Sequence, residues 1–161
     1  MNALVRLLRK CARPYRKGHL LHADGSAYME RFSLFETRCL GARLHHIVTH
    51  DYDRVMHDHP WSFVAVMLSG GYAESRPVDP LHPTFSPAGR EIDYVTTRFA
   101  GSVALRRATD RHRIVSVLPN TWTLFIYGPI RQWWGFFAPQ GKVYWKDYPT
   151  VHDTTQETAH S

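Results

Sequence analysis

From residue 31 onward the sequence is a succession of short runs that each suit a strand. They cover residues 31–37, 39–49, 62–69, 72–76, 92–99, 102–107, 113–118, 121–127, 133–138 and 142–145. Short spacers close them, among them Gly70-Gly71, Ala100-Gly101 and Pro119-Asn120. Many short strands with regular turns predict an all-β sandwich or barrel. An aromatic share of 13% agrees, because aromatic side chains suit a pleated surface. The 10 Pro and 10 Gly supply the turns. Residues 77–90 hold Pro77, Pro80, Pro83, Pro87 and Gly89. So many prolines exclude a central strand and predict a long loop, either the rim of a pocket or a surface segment. Residues 18–28 also read as loop.

At 161 residues the chain is long enough for one domain with a real core. Its formal charge is +6, and the location of that charge matters more than its size. Arg6, Arg9, Lys10, Arg13, Arg16 and Lys17 fall in the first 17 residues, which contain no acid; the other 14 Lys and Arg balance the 14 Asp and Glu. The high charge is therefore no evidence for a basic groove across the domain, and no nucleic-acid partner is expected. Leu4, Val5, Leu7, Leu8 and Cys11 recur at helical spacing until Pro14. Residues 1–17 are predicted as a basic amphipathic helix, packed on the domain or a partner subunit, with a membrane-surface or nucleic-acid contact as the alternative. Residues 18–151 form the single barrel domain, and residues 152–161 a polar, mobile tail.

No apolar run is long enough to span a bilayer, so no transmembrane segment is expected. Cys11 and Cys39 make no disulfide framework, which points to a reducing cytoplasm. Cys39 reads as a small buried hydrophobe.

The chemistry concentrates at His57-Asp58-His59-Pro60-Trp61. Side chains two apart on a strand share a face, so His57 and His59 can grip one metal ion together. Asp51, Asp53 and Asp58 make the approach polar, and the apolar strand 63–68 follows Pro60 and Trp61. The pair thus sits where a polar loop enters a packed sheet. The chain has 11 histidines, too many for all to be ligands. His19, His22, His82, His152 and His160 fall in loops or near the tail and read as solvated. His45 and His46 are adjacent, so one faces inward: either Leu44 with His46, or Arg43 with His45 and Ile47.

The stretch from His57 to Glu74, HDHPW followed by an apolar strand and Gly70-Gly71-Tyr72, resembles the first motif of the cupin superfamily. Gly101-Ser102-Val103 leading to Arg111-His112-Arg113-Ile114 resembles the second. The chain is also similar to small single-domain cupins of bacteria and phages, through HDHPW, residues 107–113, Gly128-Pro129 and Trp134-Gly135-Phe136. The resemblance spans roughly residues 31–147. It implies a cupin-type β-barrel, the double-stranded β-helix or jelly roll, preceded here by a short N-terminal helix. It also implies a homodimer and a metal site completed by a histidine of the second motif, His112. Two departures stand out. The usual cupin glutamate would fall at Phe63, which cannot ligate, and Arg107-Ala108-Thr109 replaces the usual Pro and Gly. The expected ligand set is therefore His57, His59 and His112, with Glu74, Asp58 or Asp51 as candidate fourth ligands.

Three neutral ligands leave a divalent metal its full charge, which favours an anionic substrate, and leave coordination positions open. Iron(II) is favoured, by likeness to three-histidine thiol dioxygenases and diketone-cleaving cupins; zinc, manganese and nickel are alternatives. The expected function is a mononuclear, iron-dependent oxygenase-type reaction on a small anionic molecule. The alternatives are a metal-dependent isomerase or lyase, a non-catalytic small-ligand binder, and a phage accessory protein. Tyr72 and Tyr127 are candidate proton donors. Arg106 or Arg107 must face inward, where an arginine needs an acidic partner or an anionic ligand. Arg106 is thus a candidate clamp for a substrate carboxylate, with Arg43 and Arg98 similar. The five tryptophans, with Tyr72, Tyr94 and Tyr127, are candidates to line the interior.

Overall fold

In a computed structural model, residues 2–22, 25–51, 55–82, 84–88, 91–148 and 151–153 are described, the side chains of 13–19, 21–22 and 151–153 excepted. One helix, α1 (Ala3–Cys11), precedes the strands β1 (Arg13–His22), β2 (Ala27–Glu36), β3 (Gly41–Ile47), β4 (Met56–His57), β5 (Phe63–Ser69), β6 (Gly71–Pro77) and β7 (Asp93–Phe99). Then follow β8 (Val103–Arg106), β9 (Arg113–Val117), β10 (Thr121–Tyr127), β11 (Gly135–Ala138), β12 (Gly141–Tyr144) and β13 (Val151–Asp153). The all-β expectation holds, and the predicted runs from residue 31 onward coincide with β2, β3 and β5 to β12 within a few residues.

A seven-stranded antiparallel sheet runs in the order β13-β1-β2-β3-β10-β5-β8. Opposite it lie two three-stranded pieces, β7-β6-β9 and β12-β11-β4, which meet where His57 and His112 form an antiparallel bridge. Strand alternation sorts the side chains of the large sheet. Inward go Phe63, Ala65, Phe125 and Tyr127, which cluster with Ala104; Ile47 and Met67 meet Tyr72 and Ile114 of the opposite layer. Outward go Phe32, Leu44 and Trp122, and these are covered by the Val5 and Leu8 face of α1.

Helix α1 forms because Asn2 caps it, its side chain accepting the Val5 N–H at 2.9 Å. Arg9 and Lys10 sit in its last turn, where positive charge suits the helix dipole. The helix is latched to the barrel in two ways. Asn2 Nδ2 donates to the Leu68 carbonyl at 2.7 Å, and the Arg9 guanidinium lies 3.8 Å from the centre of the Phe32 ring. The helix therefore packs on the domain. It ends at Cys11, so residues 13–17, expected within it, run in β1 instead.

Two further expectations change. Residues 18–28 are not a loop, because β1 extends to His22 and β2 begins at Ala27. Strand β1 pairs with β2, Gly18 opposite Arg31 and Leu20 opposite Met29. Cys39 is not buried. It is exposed in the turn between β2 and β3, where Thr37 Oγ1 accepts the N–H groups of Cys39 and Leu40. The polar tail beyond Asp153 lies outside the described residues.

Candidate metal centre

His57 ends β4, His59 follows two residues later, and His112 directly precedes β9. The backbone clamps them together. His57 and His112 exchange N–H to carbonyl bonds, both 3.0 Å, and the His59 N–H donates to the Ala108 carbonyl at 3.1 Å. The three ring centres stand 5.2, 5.0 and 5.2 Å apart, nearly an equilateral triangle. One ligand nitrogen of each histidine lies within 4.8 Å of the other two, and His59 Nε2 faces His112 Nε2 at 2.9 Å. The trio expected from the sequence is brought together.

The donor set fits a divalent transition metal. Burial pulls the His57 imidazole down to about 4, with Asp51 opposing and His112 adding to the effect. Burial also holds His59 well below its ordinary value, helped by His112, His57, His45 and Arg106. Both rings are thus neutral at pH 7, the form that ligates a metal. Phe63 stands where a carboxylate ligand would be expected, its ring 4.7 Å from that of His59. Phe136 and Trp134 approach His57 at 5.7 and 6.2 Å, so the three imidazoles lie among aromatic faces.

Glu74 is neither a surface ion pair nor a fourth ligand. Only 1% of its side chain is exposed, and its Oε2 lies 3.2 Å from His112 Nδ1. A carboxylate only accepts, so Nδ1 carries the proton, and Nε2 is the nitrogen turned toward the other histidines. Burial would raise the Glu74 carboxyl. The His112 hydrogen bond and charge, with Arg106 and Arg98, outweigh it and hold the group at about 2. Arg98 donates to Oε1 through Nε at 3.0 Å, with its Nη2 at 2.9 Å, and Arg106 pairs with the same oxygen. Arg106 faces inward as expected, but it is engaged by Glu74 and so reaches the site through His112. It is not a free clamp for a substrate.

Asp58 is also not a ligand. Its carboxylate is taken up elsewhere, accepting from Gly135 N at 2.9 Å, Gln132 Nε2 at 2.7 Å and Lys142 Nζ at 2.6 Å. Asp51 Oδ2 accepts the Ile114 N–H at 2.7 Å, and Asp51 is not among the converging groups. Gln132 and Lys142 are missed by sequence reasoning. Gln132 Nε2 also donates to the carbonyls of His59 at 3.1 Å and Ala108 at 2.9 Å. A lone glutamine outside any strand-like run gives no signal of such a role.

Tyr72 packs against Ile47, Met67 and Ile114; burial and the charge of Glu74 push its phenol up to about 12. Tyr127 packs against Trp61 at 4.7 Å and Phe125 at 5.8 Å. Of the aromatics expected inside, Trp61 is there, whereas Trp122 is under α1 and Trp133 and Tyr94 are exposed. His45 takes the inward position, stacked on Phe125 at 4.8 Å, and His46 the outward one, stacked on Trp122 at 4.4 Å. His82 pairs with Asp79 in an exposed loop, as a solvated histidine should.

No family model and no curated protein matches the sequence. Solved structures do. A Klebsiella pneumoniae protein with a double-stranded β-helix domain aligns at 15% identity over 80% of this chain and 92% of its own, with a TM-score of 0.50. A Ralstonia eutropha protein provisionally assigned as a mannose-6-phosphate isomerase aligns at 14% identity over 63% of this chain and 84% of its own, again with a TM-score of 0.50. Identities this low speak for fold and not for reaction. The two facing layers, closed around a histidine cluster at one seam, are those of a double-stranded β-helix, and the chain has the cupin fold.

Proposed function

We propose that the chain is a mononuclear metal-dependent enzyme of the oxygenase type, with iron(II) as the favoured metal and a small anionic molecule as substrate. The observation that carries this reading is the convergence of three imidazole nitrogens within 4.8 Å. His57, His59 and His112 would hold the metal. When bound, such a metal supplies a Lewis-acidic centre with open positions and, as iron(II), one-electron chemistry.

The chain's own residues have distinct tasks. Glu74 keeps the proton of His112 on Nδ1 and fixes its ring. Arg98 and Arg106 keep Glu74 ionised, which makes Arg106 a positioning residue. Phe63, Phe136 and Trp134 exclude water from the faces of the imidazoles. A metal held by neutral ligands leaves net positive charge in the interior, which favours an anion. Tyr72 and Tyr127 are the proton donors of this reading, and phenylalanine at either position tests that role. A homodimer and a cytoplasmic location belong to the same reading. The edge strand β8, with Val103 and Leu105 exposed, is a surface that a second copy could cover.

Metal analysis of the purified chain is the first test. Stoichiometric metal in the wild type, lost in His57→Ala, His59→Ala and His112→Ala, is expected. Absence of metal from the wild type, or equal metal in all four proteins, overturns the reading. Oxygen uptake with thiols, diketones and 2-hydroxy acids then separates an oxygenase from an isomerase or lyase. Scattering-based mass measurement checks the dimer, and a monomer at every concentration removes it.

A further inference from the structure

Buried polar nitrogens without a hydrogen-bond partner are rare in folded proteins and call for an explanation. Two of them, His45 Nε2 and the Trp61 indole Nε1, border the same part of the interior. His45 is 8% exposed and stacks on Phe125 at 4.8 Å. Trp61 approaches the same Phe125 ring at 6.5 Å. His59 approaches it at 6.4 Å, so all three side chains are arranged around one phenylalanine.

Arg43 completes the group. It shares the inward face of β3 with His45, two residues away, and its guanidinium lies 5.6 Å from the Trp61 ring centre and 4.6 Å from that of Tyr127. Its ion pair with Glu36 is loose, at 3.7 Å. Most of a five-donor fork thus has no tight acceptor at that carboxylate. An indole N–H only donates, and a guanidinium only donates. A site that offers donors beside a positive charge suits an anionic oxygen group.

We propose that Arg43, His45 and Trp61 form a subsite for the carboxylate of a small organic acid, next to the histidine trio. The inference rests on reading this interior as a substrate site, and it names the group by which the substrate is held. Arg43 faces the two carboxylate oxygens with its fork, while the Trp61 indole N–H and His45, with its proton on Nε2, gain the partner they lack. The rest of the acid then lies toward His59. Arg43, not the Glu74-bound Arg106, is the arginine that meets the substrate.

The test uses the full chain without metal, labelled with nitrogen-15, the Trp61 indole signal being identified by its loss in Trp61→Phe. Acetate, glycolate and oxalate are titrated in turn, with acetamide and glycolamide as uncharged counterparts. At least one carboxylate should shift the Trp61 indole signal saturably, and neither amide should. Arg43→Gln and His45→Gln should each weaken that binding by about tenfold or more, the loss expected for a hydrogen bond to a charged group. Arg43→Lys should fall between Arg43→Gln and the wild type, because it keeps the charge without the fork. No shift with any carboxylate, equal shifts with the amides, or unchanged affinity in Arg43→Gln overturns the proposal. Metal binding, measured separately on wild type and His45→Gln, should be equal in the two. A wild type that binds carboxylate but no metal would sink the enzyme reading and leave this subsite standing.

Discussion

Glu74 decides more of this site than any residue that faces the metal position. It is buried, it fixes the His112 ring, and it carries two arginines on one oxygen. Glu74→Gln should therefore act twice. Loss of the charge leaves Arg106 buried without its counter-ion, and removing one member of a buried pair costs ~3–5 kcal/mol. A glutamine amide can turn either its carbonyl or its NH2 to His112 Nδ1, so the tautomer is no longer enforced, and metal affinity should fall by about 10- to 100-fold. Urea unfolding measures the first effect and calorimetric metal titration the second; a variant with unchanged metal affinity would remove Glu74 from its positioning role. The trio itself was legible, because His57 and His59 carry the two-residue period of a strand and His112 sits in a second recognisable motif. Glu74 with its arginines was not. Arg98 and Arg106 stand 24 and 32 residues from Glu74, and which of them meets it depends on strand register. Cys39 misled for a local reason: it begins an apolar run, but Thr37 turns the backbone there and leaves it outside.

At the scale of elements, the β11–β12 hairpin and the HDHPW stretch are one unit held by Asp58. Gly135 gives Asp58 its N–H, and Gly135 can only be glycine, because a side chain there would collide with the Val143 carbonyl of β12. Gln132→Leu should free this unit. It strips a donor from Asp58, from the His59 carbonyl and from the Ala108 carbonyl; Asp58 keeps Gly135 and Lys142 and Ala108 keeps the His59 N–H, so the main cost, ~1–3 kcal/mol, falls on the His59 carbonyl. Thermal unfolding should show the loss, and metal affinity should weaken with it. An unchanged melting midpoint would mean that Lys142 and Gly135 alone hold Asp58. Helix α1 is an independent element. Leu44→Ala beneath it should cost ~2–5 kcal/mol, as for other buried leucines. Deleting residues 2–12 uncovers Phe32, Leu44 and Trp122, and should increase binding of a hydrophobic dye without altering the trio. Strands β5 and β10 were legible because they alternate between an inner and an outer apolar face. Strand β1 was not, since its sequence is basic and has no alternation.

For the molecule as a whole, burying so many imidazoles has a pH signature. An unfolded chain protonates its histidines near pH 6.5, whereas folded His57 does so only near 4, and His45 and His59 are lowered in the same direction by burial. Between those values the unfolded state binds more protons. The metal-free protein should keep its full stability above about pH 6.5 and lose it progressively as the pH falls toward 4. Melting midpoints across that range check this; a midpoint that rises on acidification would contradict it. Metal should stabilise the fold by ~2.7 kcal/mol at a free concentration 100 times its dissociation constant. One consequence follows from the seam between the two small sheets. His57 and His112 are joined there by main-chain atoms, while any ligand chemistry resides in their imidazoles. Replacing those rings leaves both amides paired, and they should still exchange slowly with solvent. Reactivity and architecture are thus written on different atoms of the same two residues, so such a barrel can exchange, lose or regain its chemistry by substitution without being rebuilt.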